Sequence, residues 1–219
     1  DAVLTASGTA VIFTHSDKGR IVKNRCEKIG LNTFTIGYGS EDNIIIDKVK
    51  SDQIGQTVRF KYADFYHQFR IDLVGRFQVE NVLIAVGLLI VLGEDINQVK
   101  SLLNFIKPVP GRMELAGMRN NGAPVFVDYA HTPDALENAL VSLRQHVLGR
   151  LIVIFGAGGD RDKEKRALMG KVASQHADLI YVTDDNPRGE DPRIIRESIL
   201  SSCKQGIEIG DRAKAILVG

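Results

Sequence analysis

The sequence has few cysteines, no surplus of charge of either sign and no long apolar run. Cys26 and Cys203 lie far apart and outside any C-x-x-C pair, which argues against a disulfide framework and against a zinc site. Lys and Arg number 28 and Asp and Glu 27, giving a formal net charge of +1, so no basic surplus predicts a nucleic acid or an anionic membrane as partner. The longest apolar run, 82–92, has about half of the roughly 20 residues that a membrane-spanning helix needs. We therefore expect a cytoplasmic protein.

The first part of the sequence predicts a mixture of strands and helices. The chain begins with Asp1 and shows no charged-then-apolar leader, and we interpret it as a piece of a longer protein. Apolar segments 79–92 and 96–106 have the length and spacing of helices. Short β-branched segments before them predict strands at 9–13, 33–36, 43–46, 57–60 and 69–74. The turn 107–111, rich in proline and glycine, then predicts a boundary between a domain over 1–108 and another over 109–219.

The second part of the sequence alternates between predicted strands and predicted helices. Strands are expected at 125–128, 151–155 and 179–183, and helices at 133–146, 164–176 and 192–203. This alternation predicts an α/β fold with a doubly wound parallel sheet, as in Rossmann-like domains. Ligands of such sheets bind outside the carboxyl ends of the strands. The polar loops 128–132, 156–162 and 184–188 are therefore expected to converge on one rim.

The first of these loops combines a helix start with groups that suit a nucleotide. Thr132 as cap and Pro133 in the first turn predict the beginning of a helix. Asp128, Tyr129 and His131 place a carboxylate, a phenol and an imidazole within four residues, a set that suits a nucleotide or a metal-bound phosphate. Taken alone, His131 is equally well explained as a capping or packing histidine.

The second loop favours an anion. Three glycines between 156 and 159 allow backbone N–H groups to approach a ligand, and cations follow at Arg161, Lys163, Lys165 and Arg166. The loop does not match G-x-G-x-x-G, because Arg161 occupies the place of the last glycine. The alternative is a tight turn followed by a solvated first helical turn, although cations at a helix start oppose the helix dipole.

The third loop, 184–188, suits an amino acid. Taken alone it is a proline turn. The guanidinium of Arg188 can bind a carboxylate through two hydrogen bonds, while Asp185 and Asn186 can accept from an ammonium group, so the set fits a zwitterion. At the domain junction, Arg112 in the segment 111–114 is placed to meet a phosphate, and a surface salt bridge is the competing interpretation.

In this order the loops resemble the motifs of the Mur ligases, and among them the branch that adds meso-diaminopimelate. The resemblance covers essentially the whole chain. Segment 75–81 resembles the family's adenine-side segment, and 111–114 resembles its interdomain arginine motif. Segment 128–133 resembles the nucleotide motif, 158–163 the amino-acid loop and 185–188 the diaminopimelate recognition motif. Lysine-adding relatives lack the last residue of the final motif, Arg188.

The resemblance implies the incomplete second half of a central ATP-binding domain, followed by a Rossmann-like amino-acid-binding domain truncated at its end. It implies a monomeric, ATP- and Mg²⁺-dependent ligase that joins meso-diaminopimelate to UDP-N-acetylmuramoyl-L-alanyl-D-glutamate during peptidoglycan synthesis, through an acyl phosphate. The resemblance also implies roles for the matched residues. Asn81 would contact adenine, and the nucleotide would be bound by Arg112, Asp128, Tyr129 and His131, of which Asp128 and His131 would also be catalytic. Diaminopimelate would be bound by Arg161, Asp185, Asn186, Pro187 and Arg188.

Several family features have no counterpart in the sequence. It contains no G-x-x-x-x-G-K-[ST] phosphate loop, no counterpart of the family's magnesium-binding modified lysine and no late G-x-G-H-E motif, and Gln78 stands where relatives commonly have asparagine. We therefore expect no metal ligand in this chain, assign the ligase function to the parent protein and expect the isolated chain to be inactive. Two alternatives stay open: a sibling ligase or folylpolyglutamate synthase, and a non-catalytic module that binds an amino acid or a nucleotide.

Overall fold

The computed structural model describes residues 8–219, so the interpretation of the chain's start at Asp1 lies outside the described residues. The chain divides into two compact units, one ending at Val109 and the other covering Pro110–Gly219. Both combine helices with sheets: the sheet of the first unit is mixed, and the second unit has a parallel sheet and an antiparallel pair of strands. The predicted α/β class is confirmed. Among the described residues, no helix is both long enough and apolar enough to cross a bilayer.

The first unit is built on a mixed sheet. Its elements in the described residues are β1 Thr9–Phe13, α1 Asp17–Lys28, β2 Asn32–Gly37, β3 Ile44–Ser51, β4 Gln56–Tyr62, β5 Phe65–Ile71, α2 Arg76–Val91 and α3 Ile96–Leu103. The described strands follow one another in the order β1-β2-β3-β4-β5. The pairs β1–β2 and β2–β3 are parallel, and the pairs β3–β4 and β4–β5 are antiparallel.

Alternation along the strands builds the core of this unit. In β4, Val58 and Phe60 are fully buried, and the residue between them is exposed, as expected of a strand with one face on the core. The inward residues pack with Val79, Leu83 and Val86 of α2. The sequence interpretation missed α1, because this helix is largely charged and buries only Cys26, so it shows almost no apolar stripe.

The second unit contains two separate sheets. Its elements are β6 Glu114–Met118, β7 Pro124–Val127, α4 Pro133–Arg144, β8 Ile152–Phe155, α5 Glu164–His176, β9 Leu179–Val182, α6 Pro192–Leu200, β10 Ile207–Glu208 and α7 Arg212–Val218. The strands β10, β9 and β8 form a parallel sheet in that order, and β6 pairs with β7 in an antiparallel hairpin. The predicted helix 164–176 is confirmed in both of its bounds.

The expectation that the strand at 125–128 belongs to the parallel sheet is wrong. This strand is β7, and it pairs with β6 instead. Its residues alternate between partly buried and exposed, whereas a strand inside a parallel sheet is buried on both faces. The hairpin is closed by Gly122, which has a φ of 82°, and by a hydrogen bond from the Ala123 N–H to the Asn121 side chain.

The core of the second unit lies between the parallel sheet and its helices. Val153 and Phe155 of β8 and Ile180 and Val182 of β9 are buried, as is Met169 of α5. The predicted helix start at Thr132 is confirmed, because its hydroxyl accepts a hydrogen bond from the Ala135 N–H at 3.3 Å. Asp191 caps α6 in the same way. These caps fix where the loops before α4 and α6 end.

Candidate functional site

A buried glutamine fixes the start of α2. Gly75, directly before the helix, has a φ of 94°, a conformation that favours glycine. The Nε2 amide of Gln56 donates to the carbonyl oxygens of Leu73 at 3.0 Å and of Gly75 at 2.9 Å. The helix has no side-chain cap, so these bonds hold the chain where α2 begins. They thereby place the face of α2 that carries Gln78 and Asn81.

An open groove of about 400 Å³ runs along this face of α2. Its other walls come from α3 and from the segment 106–109. The lining is mostly apolar and includes Val82, Ala85, Leu89, Val99 and Leu102. Asn81 and Gln78 add side-chain amides to this apolar wall. A flat apolar ring with donors and acceptors at its edge, such as adenine, suits such a lining.

Asp128, the residue directly after β7, accepts two backbone hydrogen bonds. Its Oδ1 accepts from the Ala130 N–H and its Oδ2 from the Met113 N–H, both at 2.9 Å. Met113 is buried and has a φ of 50°, a backbone conformation that residues other than glycine, asparagine and aspartate seldom adopt. Asp128 therefore stabilises the backbone of the segment 111–114 and ties it to the loop 128–132. The sequence interpretation did not foresee this link.

Arg112, Tyr129 and His131 form a column of exposed side chains. The Arg112 guanidinium lies 5.0 Å from the centroid of the Tyr129 ring, and the Tyr129 and His131 rings meet edge to face with centroids 5.2 Å apart. Nδ1 of His131 lies 3.1 Å from the Tyr129 carbonyl oxygen. A carbonyl oxygen only accepts, so this contact places a proton on Nδ1 and makes Nε2 the acceptor in the neutral ring.

The loop 128–132 is also joined to the second polar loop. Lys165, in the first turn of α5, donates through Nζ to the carbonyl oxygen of His131 at 3.1 Å. The four nucleotide residues predicted in this unit, Arg112, Asp128, Tyr129 and His131, therefore lie together beside the start of α5. The sequence predicted Asp128, Tyr129 and His131 at the end of a parallel strand and Arg112 at the domain junction, whereas Asp128 directly follows the β6–β7 hairpin.

The second and third polar loops interlock through their backbones. The Gly159 N–H donates to the Asn186 carbonyl oxygen at 3.0 Å, and Arg188 Nη1 donates to the Gly159 carbonyl oxygen at 2.8 Å. A Cβ at Gly159 would collide with the Pro187 carbonyl oxygen. The Gly189 N–H donates to Asp160 Oδ2 at 3.0 Å. The glycines of the second loop therefore allow the third loop to pack directly against it.

A buried ion pair holds the same two loops. The side chain of Arg166 is 2% exposed, and its Nη1 and Nη2 lie 2.9 and 2.8 Å from the two carboxylate oxygens of Glu190. The Arg166 hydrogen bonds, followed by the backbone N–H of Asp160, lower the pKa of Glu190 to about 2. The expectation that Arg166 would serve an anionic ligand is wrong for this residue, because its guanidinium is buried against Glu190. Arg161 and Lys163 remain exposed.

The predicted amino-acid residues lie together on the third loop, except for Arg161 on the second. Asp185 Oδ1 accepts from the Asn186 side-chain amide at 3.1 Å. Asn186 and Arg188 have φ values of 36° and 53°, and such backbone conformations cluster at functional sites. Arg188 uses Nη1 within the loops. Its Nη2 and Nε make no hydrogen bond among the described residues, so one side of the guanidinium is open to a ligand.

Three residues that matter to these sites were not found from the sequence: Gln56, Arg166 in its actual role, and Glu190. Glu190 had a detectable signal, since a carboxylate two residues after Arg188 complements an arginine in the first turn of α5. Gln56 had none, because its partners are backbone carbonyl groups. Among residues 8–219, no group of three or more His, Cys, Asp or Glu side chains is arranged to hold a metal ion.

Two family models match the sequence. The Mur ligase middle domain matches residues 3–89, and the Mur ligase glutamate ligase domain matches residues 111–218.

Among curated proteins, two relatives carry the description UDP-N-acetylmuramoyl-L-alanyl-D-glutamate--2,6-diaminopimelate ligase. The protein from Zymomonas mobilis subsp. mobilis is 43% identical over 216 residues, and that from Mesorhizobium japonicum is 41% identical over 216 residues. In both comparisons, the alignment covers 99% of this chain and 44% of the relative. The chain therefore spans less than half the length of these relatives.

Solved structures give a consistent result. A structure described by the same ligase name superposes with a TM-score of 0.69 at 30% identity, covering 95% of this chain and 44% of that one. The Mycobacterium tuberculosis folylpolyglutamate synthase, solved in complex with ADP and AMPPCP, superposes with a TM-score of 0.71 at 18% identity, covering 96% of this chain and 47% of that one. The second likeness shows a shared fold.

Proposed function

The chain belongs to the Mur ligase family, and we propose that it is the part of a meso-diaminopimelate-adding ligase that binds adenine and the incoming amino acid. In this proposal the complete ligase is a cytoplasmic enzyme of peptidoglycan synthesis. Its substrates are ATP, UDP-N-acetylmuramoyl-L-alanyl-D-glutamate and meso-diaminopimelate, and Mg²⁺ neutralises phosphate charge. None of the described residues is assigned to the metal.

The interlocked second and third loops are the observation that supports the amino-acid assignment most directly. They bring Asp185, Asn186 and the open side of the Arg188 guanidinium onto one short loop. Diaminopimelate carries an ammonium and a carboxylate at each end. A carboxylate of the ligand can receive two hydrogen bonds from Nη2 and Nε of Arg188, and an ammonium group can donate to the oxygens of Asp185 and Asn186. L-lysine lacks the distal carboxylate, so Arg188 favours diaminopimelate over lysine.

Adenine is assigned to the groove of the first unit. The groove's size and apolar lining suit a heteroaromatic ring, and the Asn81 amide can both donate to and accept from its edge. In the second unit, Arg112 and His131 are assigned to the phosphates or the ribose. Asp128 has a double role in this proposal: its carboxylate holds the backbone at Met113, and its remaining lone pairs face a ligand that donates, such as a ribose hydroxyl.

In the proposed reaction the γ-phosphoryl group of ATP passes to the carboxylate of the UDP-linked dipeptide, giving an acyl phosphate and ADP. The amine of diaminopimelate then attacks the acyl carbon, an amide bond forms, and inorganic phosphate leaves. The residues of this chain bind and orient the reactants. Orientation alone can supply a large share of the acceleration, because it makes the attack effectively unimolecular.

Calorimetric titration of this chain tests the proposal. We expect meso-diaminopimelate to bind, L-lysine to bind more weakly, and Arg188→Ala to remove the difference between them. A nucleotide that binds in place of both amino acids, and whose binding is lost in Arg188→Ala, would assign the third loop to the nucleotide and contradict the amino-acid assignment. Arg193→Ala is the matched control, since Arg193 lies on α6 in an exposed pair with Glu197.

A further inference from the structure

We propose that Glu190 is a positioning residue for the amino-acid substrate, because its ion pair with Arg166 sets the spacing of the second and third loops and thereby the placement of Arg188. The inference rests on the proposed function, which assigns these loops to the amino acid. It concerns a pair of residues that does not itself contact the substrate in that proposal.

The pair has the features of a built structural element. Arg166 projects from the first turn of α5, and Glu190 lies beyond the third loop, just before the cap of α6. Two parallel hydrogen bonds of 2.9 and 2.8 Å join them, and the Arg166 side chain is 2% exposed. A buried guanidinium needs its partner, because an uncompensated buried charge is strongly unfavourable. The pair therefore constrains α5 and the third loop to one separation.

The carboxylate of Glu190 also reaches the second loop. Its Oε1 accepts from the Asp160 N–H at 2.6 Å, and Arg166 Nη2 donates to the Gly158 carbonyl oxygen at 3.3 Å. Asp160 in turn accepts from the Gly189 N–H. One carboxylate thus connects the start of α5, the second loop and the third loop, which between them carry Arg161, Asp185, Asn186 and Arg188.

Arg188 depends on this connection. Its backbone is left-handed, with a φ of 53°, and such a conformation persists in a residue other than glycine only where surrounding contacts enforce it. The Arg188 side chain donates to the carbonyl oxygens of Gly159 and Asn186. The next residue, Gly189, donates its N–H to Asp160, whose own N–H donates to Glu190. Loss of the Glu190 charge is expected to let the third loop relax, so that the guanidinium is no longer held where a ligand carboxylate would meet it.

Steady-state kinetics of the complete ligase with Glu190→Gln tests the inference. Glutamine has the same size and keeps an acceptor for the Asp160 N–H, but it removes the charge that faces Arg166. We expect KM for meso-diaminopimelate to rise about tenfold to a hundredfold, as a displacement of about 1 Å can produce. KM for ATP and kcat at saturating amino acid should change about twofold or less, because the reaction centre itself is not displaced.

Two further variants make the test specific. Glu197→Gln removes an exposed carboxylate from α6, where it pairs with Arg193 at 3.6 Å, and should leave every constant unchanged. Glu190→Asp keeps the charge on a shorter side chain, so KM for meso-diaminopimelate should lie between those of the wild type and Glu190→Gln. If Glu190→Gln fails to fold, Glu190→Asp decides the question, and a wild-type KM in that variant overturns the inference.

The outcomes separate the inference from the proposed function. A purely structural role would lower the amount of active enzyme and hence kcat, with KM for the amino acid unchanged, and this result overturns the inference. A rise in KM for ATP instead of KM for the amino acid also overturns it. A wild-type ligase that does not use meso-diaminopimelate contradicts the proposed function. A wild-type ligase that does use it, combined with an unchanged KM in Glu190→Gln, contradicts only the positioning role.

Discussion

Replacing Arg188 is the sharpest perturbation of the proposed amino-acid site, and the structure separates its effect on binding from its effect on stability. In the complete ligase, Arg188→Ala removes the guanidinium nitrogens that are open to a ligand. Loss of a charge-assisted pair of hydrogen bonds to a carboxylate costs roughly 1.5–3 kcal/mol. At about 1.36 kcal/mol per decade, kcat/KM for meso-diaminopimelate should fall about tenfold to a hundredfold or more.

The same substitution has a cost for folding that the sequence alone did not indicate. Arg188 Nη1 donates to the carbonyl oxygens of Gly159 at 2.8 Å and Asn186 at 3.3 Å. The side chain therefore supports the fold of the loops in addition to its proposed role in binding. Since Arg188 is exposed, we expect the loss of these bonds to lower the free energy of unfolding by about 1 kcal/mol.

Arg188→Gly distinguishes the two effects. Glycine tolerates the φ of 53° at this position, so its variant should be roughly 1 kcal/mol more stable than the alanine variant. Both variants lack the guanidinium, so both should show the same loss of kcat/KM for meso-diaminopimelate. The assays are chemical denaturation and initial-rate kinetics, with L-lysine as comparison substrate and Arg193→Ala as control. If activity recovered along with stability in the glycine variant, the side chain would act only through the fold, and the reasoning would be refuted.

Three further predictions follow from the geometry. Asn81→Ala should raise the dissociation constant of ADP for the complete ligase about tenfold, as loss of hydrogen bonds to adenine predicts. Ser101→Ala, on the exposed surface of α3, is the control and should leave this constant unchanged. Equal ADP affinities of the wild type and Asn81→Ala would exclude the groove as the adenine site. Because the pKa of Glu190 is lowered to about 2, its ion pair contributes fully to the free energy of unfolding above about pH 4.5, and this contribution is lost as the pH falls towards about 2. The wild-type free energy of unfolding, measured by denaturation, should therefore decline across that window more steeply than that of Glu190→Gln. Parallel curves for the two proteins would contradict this. Gly159→Ala should destabilise the second unit by several kcal/mol, because its Cβ collides with Pro187 backbone, whereas Gly149→Ala, with open space at its Cβ, should be nearly neutral by thermal melting.

The sequence was sufficient to predict elements with a marked apolar pattern and helices that begin at a clear cap. The strand at 9–13 has its predicted bounds, because polar residues follow its apolar run directly. The helix at 164–176 also has its predicted bounds, although no side chain caps its start. The highly charged α1 was not predicted, because only Cys26 is buried on it. The misplaced strand β7 shows the limit of local patterns: β-propensity indicates a strand but not its partner, which here is set by the Asn121–Gly122 hairpin.

The candidate site was predictable where motifs carry the chemistry and unpredictable where packing does. The helices after the first and third loops begin where the sequence predicts, with Thr132 and Asp191 as caps, and the roles given to the residues of these loops stay predictions. The role of Arg166 was predicted wrongly. A cation in the first turn of a helix indicates that an anion lies nearby, but the sequence does not show whether this anion is a ligand or, as here, the carboxylate of Glu190. The link from Asp128 to Met113 joins residues 15 positions apart, and nothing in either local segment predicts it.

In the proposed amino-acid site, the direct packing of Gly159 against Pro187 has a consequence for altering substrate choice by loop exchange. The second loop has no space for a side chain at the point where the third loop lies upon it, so the two loops constitute one transplantable unit. Grafting the third loop alone from a lysine-adding relative would set a foreign backbone against Gly159 and leave Glu190 and Arg166 matched to the old spacing. A designer who wishes to change the amino acid should therefore exchange 156–166 and 184–190 together, and natural lineages that switched substrate are expected to have changed both segments in concert.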